Sequence, residues 1–383
     1  MEVFELVNES RLVEQFMELV RVDSETKHEE AISVVLKQLF TEQGLTVTED
    51  EAKIRTGHGA NNLFFTLAAT QGKQAVAPIF FTSHMDTVTP GNGIKPQLDD
   101  DGYIRSDGTT ILGSDDKAGL AAMLEAIKVM KEQNVEHGRV QFVITVGEES
   151  GLLGARAIDA SKIDAQYGFA LDSNGEVGDI CVAAPTQAKI HVAIIGKSAH
   201  AGVNPEDGIS AIQIASRSIS RMPLGRVDHE TTANIGRFAG GGATNIVCER
   251  VDIDAEARSL IQDKLDRQVE AMKRAFEQTA EEFGGRAEFT SELIYPAYSF
   301  DESAPIVQIA SAALNSIGKT PRLFHSGGGS DANVFNGLGI PTVNLAVGYE
   351  FIHTNKEQIP VQSMVEITRA VVAIVEEVAN NQQ

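Results

Sequence analysis

The amino-acid pattern predicts an α/β protein: a mixed, mainly parallel sheet with helices on both faces, carrying an inserted ferredoxin-like α+β domain. Two observations predict it. Short apolar runs at 79–82, 140–146, 169–171 and 342–346 alternate with amphipathic stretches, the pattern of buried strands joined by crossover helices. Near residue 185 this style gives way to half-exposed, alternating strands, and beyond 298 it returns.

Taken in order, apolar residues at three- and four-residue spacing predict helices over 10–20 and 29–40. The run at 79–82 reads as a buried strand, 117–130 as a helix and 140–146 as the next strand. A short helix near 151–157 and a buried strand at 169–171 follow. Within the middle segment, 189–195 alternates as a strand, 209–222 is an amphipathic helix, and 231–238 and 251–257 are strands. A long helix over 263–283 and a strand at 287–293 complete a βαββαβ order, that of a ferredoxin-like unit. Helix 305–316, strand 342–346 and helix 361–379 close the chain. The expected organisation is one discontinuous domain, 1–185 and 298–383, with 186–297 inserted into it.

Composition narrows the function classes. The 383 residues carry a net charge of −22, with 42 % hydrophobic and 22 % charged residues, which suits a chain with a packed core and excludes a disordered or collagen-like one. The acidic excess argues against nucleic acid and against anionic membranes, since both need clustered Lys and Arg. Cys181 and Cys248 show no paired spacing and read as reduced thiols. The acidic start, Met-Glu-Val-Phe-Glu, does not resemble a signal peptide, and no apolar run approaches the ~20 residues of a membrane span. A soluble, cytoplasmic protein is expected.

The chemistry collects at strand ends. The run Ile79-Phe80-Phe81-Thr82-Ser83-His84-Met85-Asp86 delivers a His and an Asp at the carboxyl end of a strand, the edge where ligands bind in parallel sheets. Residues i and i+2 point the same way, so Asp86 is expected to orient the His84 ring. Alone, this pair reads sooner as a satisfied loop histidine. Leu112-Gly113-Ser114-Asp115-Asp116-Lys117 sets two carboxylates before a helix, where an N-cap is the ordinary reading. Gly147-Glu148-Glu149 follows the strand at 140–146, Asp172 ends the strand at 169–171, and His353 follows the strand at 342–346. Repeated acids at one sheet edge repel one another and call for cations. A metal site is therefore expected. His28, His58 and His137 are expected at the surface.

These segments resemble the co-catalytic dizinc exopeptidase and deacylase family that includes peptidase T, bacterial glutamate carboxypeptidase, succinyl-diaminopimelate desuccinylase and aminoacylase. The resemblance rests on Ser83-His84-Met85-Asp86-Thr87-Val88, Gly113-Ser114-Asp115-Asp116-Lys117-Ala118-Gly119 and Gly147-Glu148-Glu149-Ser150-Gly151, and covers essentially the whole chain. It is nearest to peptidase T-like tripeptidases. It implies two Zn²⁺ ions, with Co²⁺ or Mn²⁺ as substitutes: His84 and Asp172 on one, Glu149 and His353 on the other, and Asp115 bridging both. It also implies Glu148 as general base, Asp86 orienting His84, and a cis peptide between Asp115 and Asp116. Two divalent ions, about +4, balance three ligand carboxylates and one hydroxide.

In the inserted domain, Gly196-Lys197-Ser198-Ala199-His200-Ala201-Gly202 matches the family's lid motif, whose histidine, His200 here, faces the scissile carbonyl; a surface histidine is the plainer alternative. Asn245 and Arg258 resemble substrate-holding residues, with a structural ion pair as the alternative for Arg258. The run Ser326-Gly327-Gly328-Gly329-Ser330-Asp331 could hold substrate through Gly328 and Ser330, or form an ordinary turn.

An aspartate at position 172 accompanies aminopeptidase-type members, so the resemblance implies release of an N-terminal residue from short peptides. The alternative is an N-acyl amino acid deacylase or dipeptidase. Both a monomer and a homodimer formed through the inserted domain occur in the family. Other classes fit less well. Gly318-Lys319-Thr320 is a fragment of a phosphate loop, but Ala313 stands where that loop needs Gly, and no G-x-S-x-G occurs. A catalytically dead binding protein would lack the base or a ligand, and every one is present.

Overall fold

The computed structural model describes residues 7–380. The chain divides into two compact units: residues up to Ala183, Phe300–His325 and those from Ser330 onward form the first, and Ala184–Ser299 with Ser326–Gly329 the second. Among the described residues, no helix is long and apolar enough to cross a membrane.

The sheet of the first unit runs in the order Thr46–Glu49, Leu63–Leu67, Val140–Thr145, Ile79–His84, Tyr167–Ser173, Thr342–Ala346 and Asp179–Ala184, with Arg322–His325 beside the last. Strands 140–145, 79–84, 167–173 and 342–346 are parallel to one another. Strands 46–49 and 63–67 add antiparallel pairings at one side, and 179–184 runs antiparallel to 342–346. Parallel direction places the carboxyl ends of the four central strands on one edge. His84 lies opposite Thr145, and Ala346 opposite Ser173.

Both faces of this sheet are covered, because neighbouring apolar residues in a strand point opposite ways. Phe65, Phe81 and Phe142 enter the larger core, which helices Glu9–Val20, Glu30–Glu42, Ser114–Glu132, Pro305–Ser316 and Val361–Asn380 line with their apolar stripes. Phe40 stacks on Phe65 there, with ring centroids 4.2 Å apart. Phe64, Phe80 and Val143 face the other way, into a small cluster closed by Phe335 of helix Asp331–Gly337. The mixed sheet with helices on both faces is thus the observed architecture.

That small cluster has few members to share the loss of one. The Phe80 and Phe335 rings lie 4.8 Å apart, tilted against each other, and both are fully buried. Phe335→Ala is expected to cost about 3–5 kcal/mol, measured by urea unfolding. A loss below about 1 kcal/mol would show that this face collapses to fill the space.

The second unit is the ferredoxin-like one. Strands Thr186–Ile195, Thr231–Gly240, Arg250–Ser259 and Arg286–Tyr295 form an antiparallel sheet whose order, numbered along the chain, is 4-1-3-2. A two-residue strand, Gly225–Arg226, extends it beside Thr231–Gly240. Helices Ala211–Ile219 and Gln262–Glu282 cover one face, burying Ile190, Val192, Val251, Ile253, Met272 and Phe276. In strand 250–259 the alternation is strict: Val251, Ile253, Ala255 and Ala257 are buried, while Asp252, Asp254, Glu256 and Arg258 face the other way.

Candidate metal centre

Three of the four central strands hand over polar residues at or just past the end of their hydrogen-bonded run. His84 is the last residue of its strand, Glu148 and Glu149 follow Thr145, and Asp172 sits next to the end of Tyr167–Ser173. Asp115 arrives differently. The helix that begins at Ser114 is broken at Asp115 (φ −83°, ψ 101°) and Asp116 (φ −122°, ψ 37°), and the peptide between them is cis. Asp115 is therefore an extended residue ahead of the regular helix rather than an N-cap. Gly119 makes room for this arrangement: a Cβ there would lie 2.7 Å from Oδ1 of Asp116 and 2.8 Å from the Leu171 carbonyl.

The side chains converge. The Nε2 atom of His84 lies 3.0 Å from Oδ1 of Asp115 and 3.7 Å from Oδ1 of Asp172. On the other side, Nε2 of His353 lies 3.0 Å from Oε1 of Glu149 and 3.3 Å from Oδ2 of Asp115. Asp115 therefore offers one oxygen to each imidazole. Among the described residues, three sets could each hold a cation, with ligand atoms within 4.8 Å of one another: His84, Asp115 and Asp172; Asp115, Glu149 and His353; and His84, Glu148 and Glu149.

Electrostatics describes the same crowding. Burial, and then the neighbouring Asp172 charge, push the Glu148 carboxyl well above its usual range. Burial also raises Asp172, to about 6. Burial pulls His84 down, yet its contacts with Asp115, Asp172 and Asp86 outweigh this and hold its proton. His353 is pushed up to about 10 by Asp115 and Glu149. Imidazole and carboxylate donors at this spacing suit divalent cations, which would take the place of those protons.

Supporting groups set the orientation. Nδ1 of His84 donates to the Asp86 backbone carbonyl at 2.9 Å, which leaves Nε2 facing Asp115 and Asp172 and free to coordinate. The carboxylate of Asp86 also pairs with Nδ1, at 3.5 Å, so main chain and side chain of the same residue face the ring. That carboxylate further accepts the N–H groups of Glu148 (3.0 Å) and Glu149 (3.3 Å) and the hydroxyl of Thr26 (2.7 Å).

Other supports carried a weaker signal or none. Asn344 bonds both to the N–H and to the carbonyl of Asp172, at 2.9 and 2.7 Å. An amide inside the apolar run Thr342–Ala346 was the available clue. The hydroxyl of Tyr349 donates to Asp172 at 3.2 Å. The ammonium of Lys117, fully buried, donates to Ser24 and to the carbonyl of Met85, between His84 and Asp86. His58, expected at the surface, is buried: it bonds Ser150 at 3.0 Å and packs so closely beneath Gly147 that a Cβ there would lie 2.2 Å from its ring. His137 is buried too, with Nδ1 on the Gly138 carbonyl, while His28 is exposed.

Ser330 belongs to the first unit and caps helix Asp331–Gly337 in a reciprocal pair with Asn333; it is buried, and its hydroxyl also accepts from Asn344.

His200, Asn245, Arg258 and Gly328 lie in the second unit. The N–H of Gly202 donates to Nδ1 of exposed His200, which puts a proton of the neutral ring on Nε2. Asn245 is adjacent, its carbonyl accepting from the Ala201 N–H at 2.9 Å. Arg258 forks onto Glu256 (2.9 and 3.1 Å) and reaches the Gly327 carbonyl at 3.4 Å, next to Gly328.

A carboxylate shared between two imidazoles at the carboxyl edge of a mainly parallel sheet marks this as a candidate metal centre, and the wider sequence gives its class. Residues 80–377 match the family described as Peptidase family M20/M25/M40, and the chain belongs to that family; it is a hydrolase of peptide bonds. An aminopeptidase PepT from Bacillus cereus is 60 % identical, with a TM-score of 0.92, over 98 % of this chain and 100 % of that one. A tripeptidase from Staphylococcus aureus is 50 % identical, with a TM-score of 0.95, over the same shares. The uncharacterized protein YqjE of Bacillus subtilis is 60 % identical over 374 residues, which is 98 % of this chain and 100 % of that protein.

Proposed function

We propose that this protein is a metal-dependent aminopeptidase that removes the N-terminal residue of short peptides, tripeptides above all, using two divalent cations. The observation that carries the reading is the position of Asp115, with one carboxylate oxygen toward His84 and the other toward His353. Similarity at 50–60 % identity to a tripeptidase and an aminopeptidase supports the substrate class. His84 and Asp172 would hold one cation, Glu149 and His353 the other, and Asp115 both; zinc suits this donor set, with cobalt or manganese as substitutes. Such a pair, when bound, supplies Lewis acidity and a water acidic enough to attack near neutral pH.

The remaining chemistry belongs to the chain. Glu148, whose carboxyl burial has raised, takes the proton of the attacking water and delivers it to the leaving amine. Asp86 fixes the Glu148–Glu149 turn through two backbone bonds. His200, with Nε2–H available, donates to the developing oxyanion, and Arg258, Asn245 and Gly328 hold the peptide. The body formed by 1–185 and 298–383 acts as the catalytic domain and 186–297 as its lid, in a cytoplasmic enzyme.

A substrate panel tests this: di-, tri- and tetrapeptides with free amino termini against N-acyl amino acids, with zinc, cobalt or manganese added. Fastest cleavage of free tripeptides is expected; preference for blocked amino termini would make the protein a deacylase instead. For the lid, His200→Ala is expected to lower kcat about 10²–10³-fold with KM little changed, because the bond forms in the transition state. An unchanged kcat would leave His200 as a surface residue.

A further inference from the structure

The most fully used buried carboxylate near the centre is one that neither holds a cation nor touches the reaction. Glu357 is 2 % exposed and lies four residues after His353. Its Oε2 accepts the N–H groups of Leu112 and Gly113, at 2.9 Å each. Its Oε1 accepts the hydroxyl of Ser114 at 2.6 Å and the N–H of Asp115 at 3.1 Å. Four donors on four consecutive residues thus close on one anion. The left-handed turn at Gly113 (φ +76°) belongs to the same segment, as in the anion-binding nests of other loops.

The other end of this link is equally defined. Glu350 and Gln358 exchange two backbone bonds, of 2.8 and 3.1 Å, and so close the turn that carries His353. Strand Gln358–Pro360 then pairs with Tyr103–Arg105. Inside the turn the N–H of Glu357 donates to the Thr354 carbonyl at 3.2 Å, and Phe351 and His353 both adopt left-handed backbone (φ +54° and +62°). His84, by contrast, sits in a strand paired on both sides. The half-exposed His353 has no such frame, and the buried anchor of its turn is Glu357.

We propose that Glu357 is a positioning residue for the cation held by Glu149 and His353: it fixes Asp115 from one side and the His353 turn from the other. This rests on the two-cation reading above. The cation on His84 and Asp172 keeps two strand-borne ligands without Glu357 and loses support only at the shared Asp115; the other loses support both at Asp115 and at the His353 turn. Loss of Glu357 therefore weakens one cation more than the other, whereas general loosening of the fold would weaken both alike.

The test titrates Co²⁺ into chelator-treated full-length protein, by calorimetry and visible absorption, for the wild type, Glu357→Gln and Ser114→Ala. The wild type is expected to bind two ions. Glu357→Gln is expected to bind one within about threefold of its wild-type affinity and the other about 10–100-fold more weakly. Ser114→Ala, which deletes one of the four donors, should shift the same ion by a smaller factor. Equal affinities in wild type and Glu357→Gln, or equal weakening at both ions, would overturn the proposal. Should Glu357→Gln not fold, unchanged binding of both ions by Ser114→Ala overturns it. A wild type that binds only one ion would overturn the two-cation reading itself, and is distinguishable because no variant is involved.

Discussion

Glu148→Gln is expected to lower kcat by about 10²–10⁴-fold while leaving two cations bound, the range for removing a positioned general base. The substitution keeps the volume of the side chain and removes its capacity to take a proton. The expectation draws on a contrast between adjacent residues. Glu149 is tied to His353 at 3.0 Å, whereas burial and the Asp172 charge push the Glu148 carboxyl well above its usual range. One competing arrangement is visible, since Glu148 also lies within reach of a set with His84 and Glu149. Steady-state kinetics together with metal content decides between them. Loss of a cation on substitution would make Glu148 a ligand, and turnover within tenfold of wild type would remove it from the reaction.

Asp86→Ala is expected to give the opposite signature, with both affinity and turnover failing. The Asp86 carboxylate is fully buried and accepts three bonds, two of them from the backbone of the Glu148–Glu149 turn. Removing it leaves those N–H groups without an acceptor in a buried place, at about 1–3 kcal/mol each. It also frees the turn that carries the proposed ligand Glu149 and the proposed base Glu148 together. Cation affinity is expected to fall about 10–100-fold, the usual effect of losing a group that orients ligands. Residual kcat at saturating metal is expected to fall as well. Affinity and kcat both within about twofold of wild type would mean that the turn is held by its other supports, His58 and Ser150 among them.

Much of this candidate centre was legible along the chain because most of its residues sit where apolar runs stop. A buried parallel strand announces itself by composition, and the residues just after its carboxyl end share an edge by topology alone. His84, Asp172 and the Glu148–Glu149 pair were readable in that way. The pairing of Arg258 with Glu256 was also within reach, since residues two apart in a strand share a face. The backbone break at Asp115 was not. Two acids before a helix have the ordinary appearance of a cap, and only the resemblance to a family pointed to the cis bond that is found there.

The groups that escaped notice have partners far away in sequence. His58 reads as a loop residue until Ser150, 92 residues on, is placed beside it. Glu357 occupies the polar stretch Thr354-Asn355-Lys356-Glu357, and its four donors lie more than 240 residues earlier. The strand at Thr46–Glu49 carries one apolar residue, too little for a periodicity to register.

By itself, then, the sequence determined the α/β class, the ferredoxin-like insertion, and which acids and histidines stand at strand ends, because periodicity and strand termination are local properties. Only the tertiary structure decided what each buried polar group does. Hydrogen bonds are short-ranged and directional, so the role of Asp86, His58 or Glu357 depends on which distant N–H or hydroxyl the fold brings within about 3 Å. Composition along the chain carries no record of that distance.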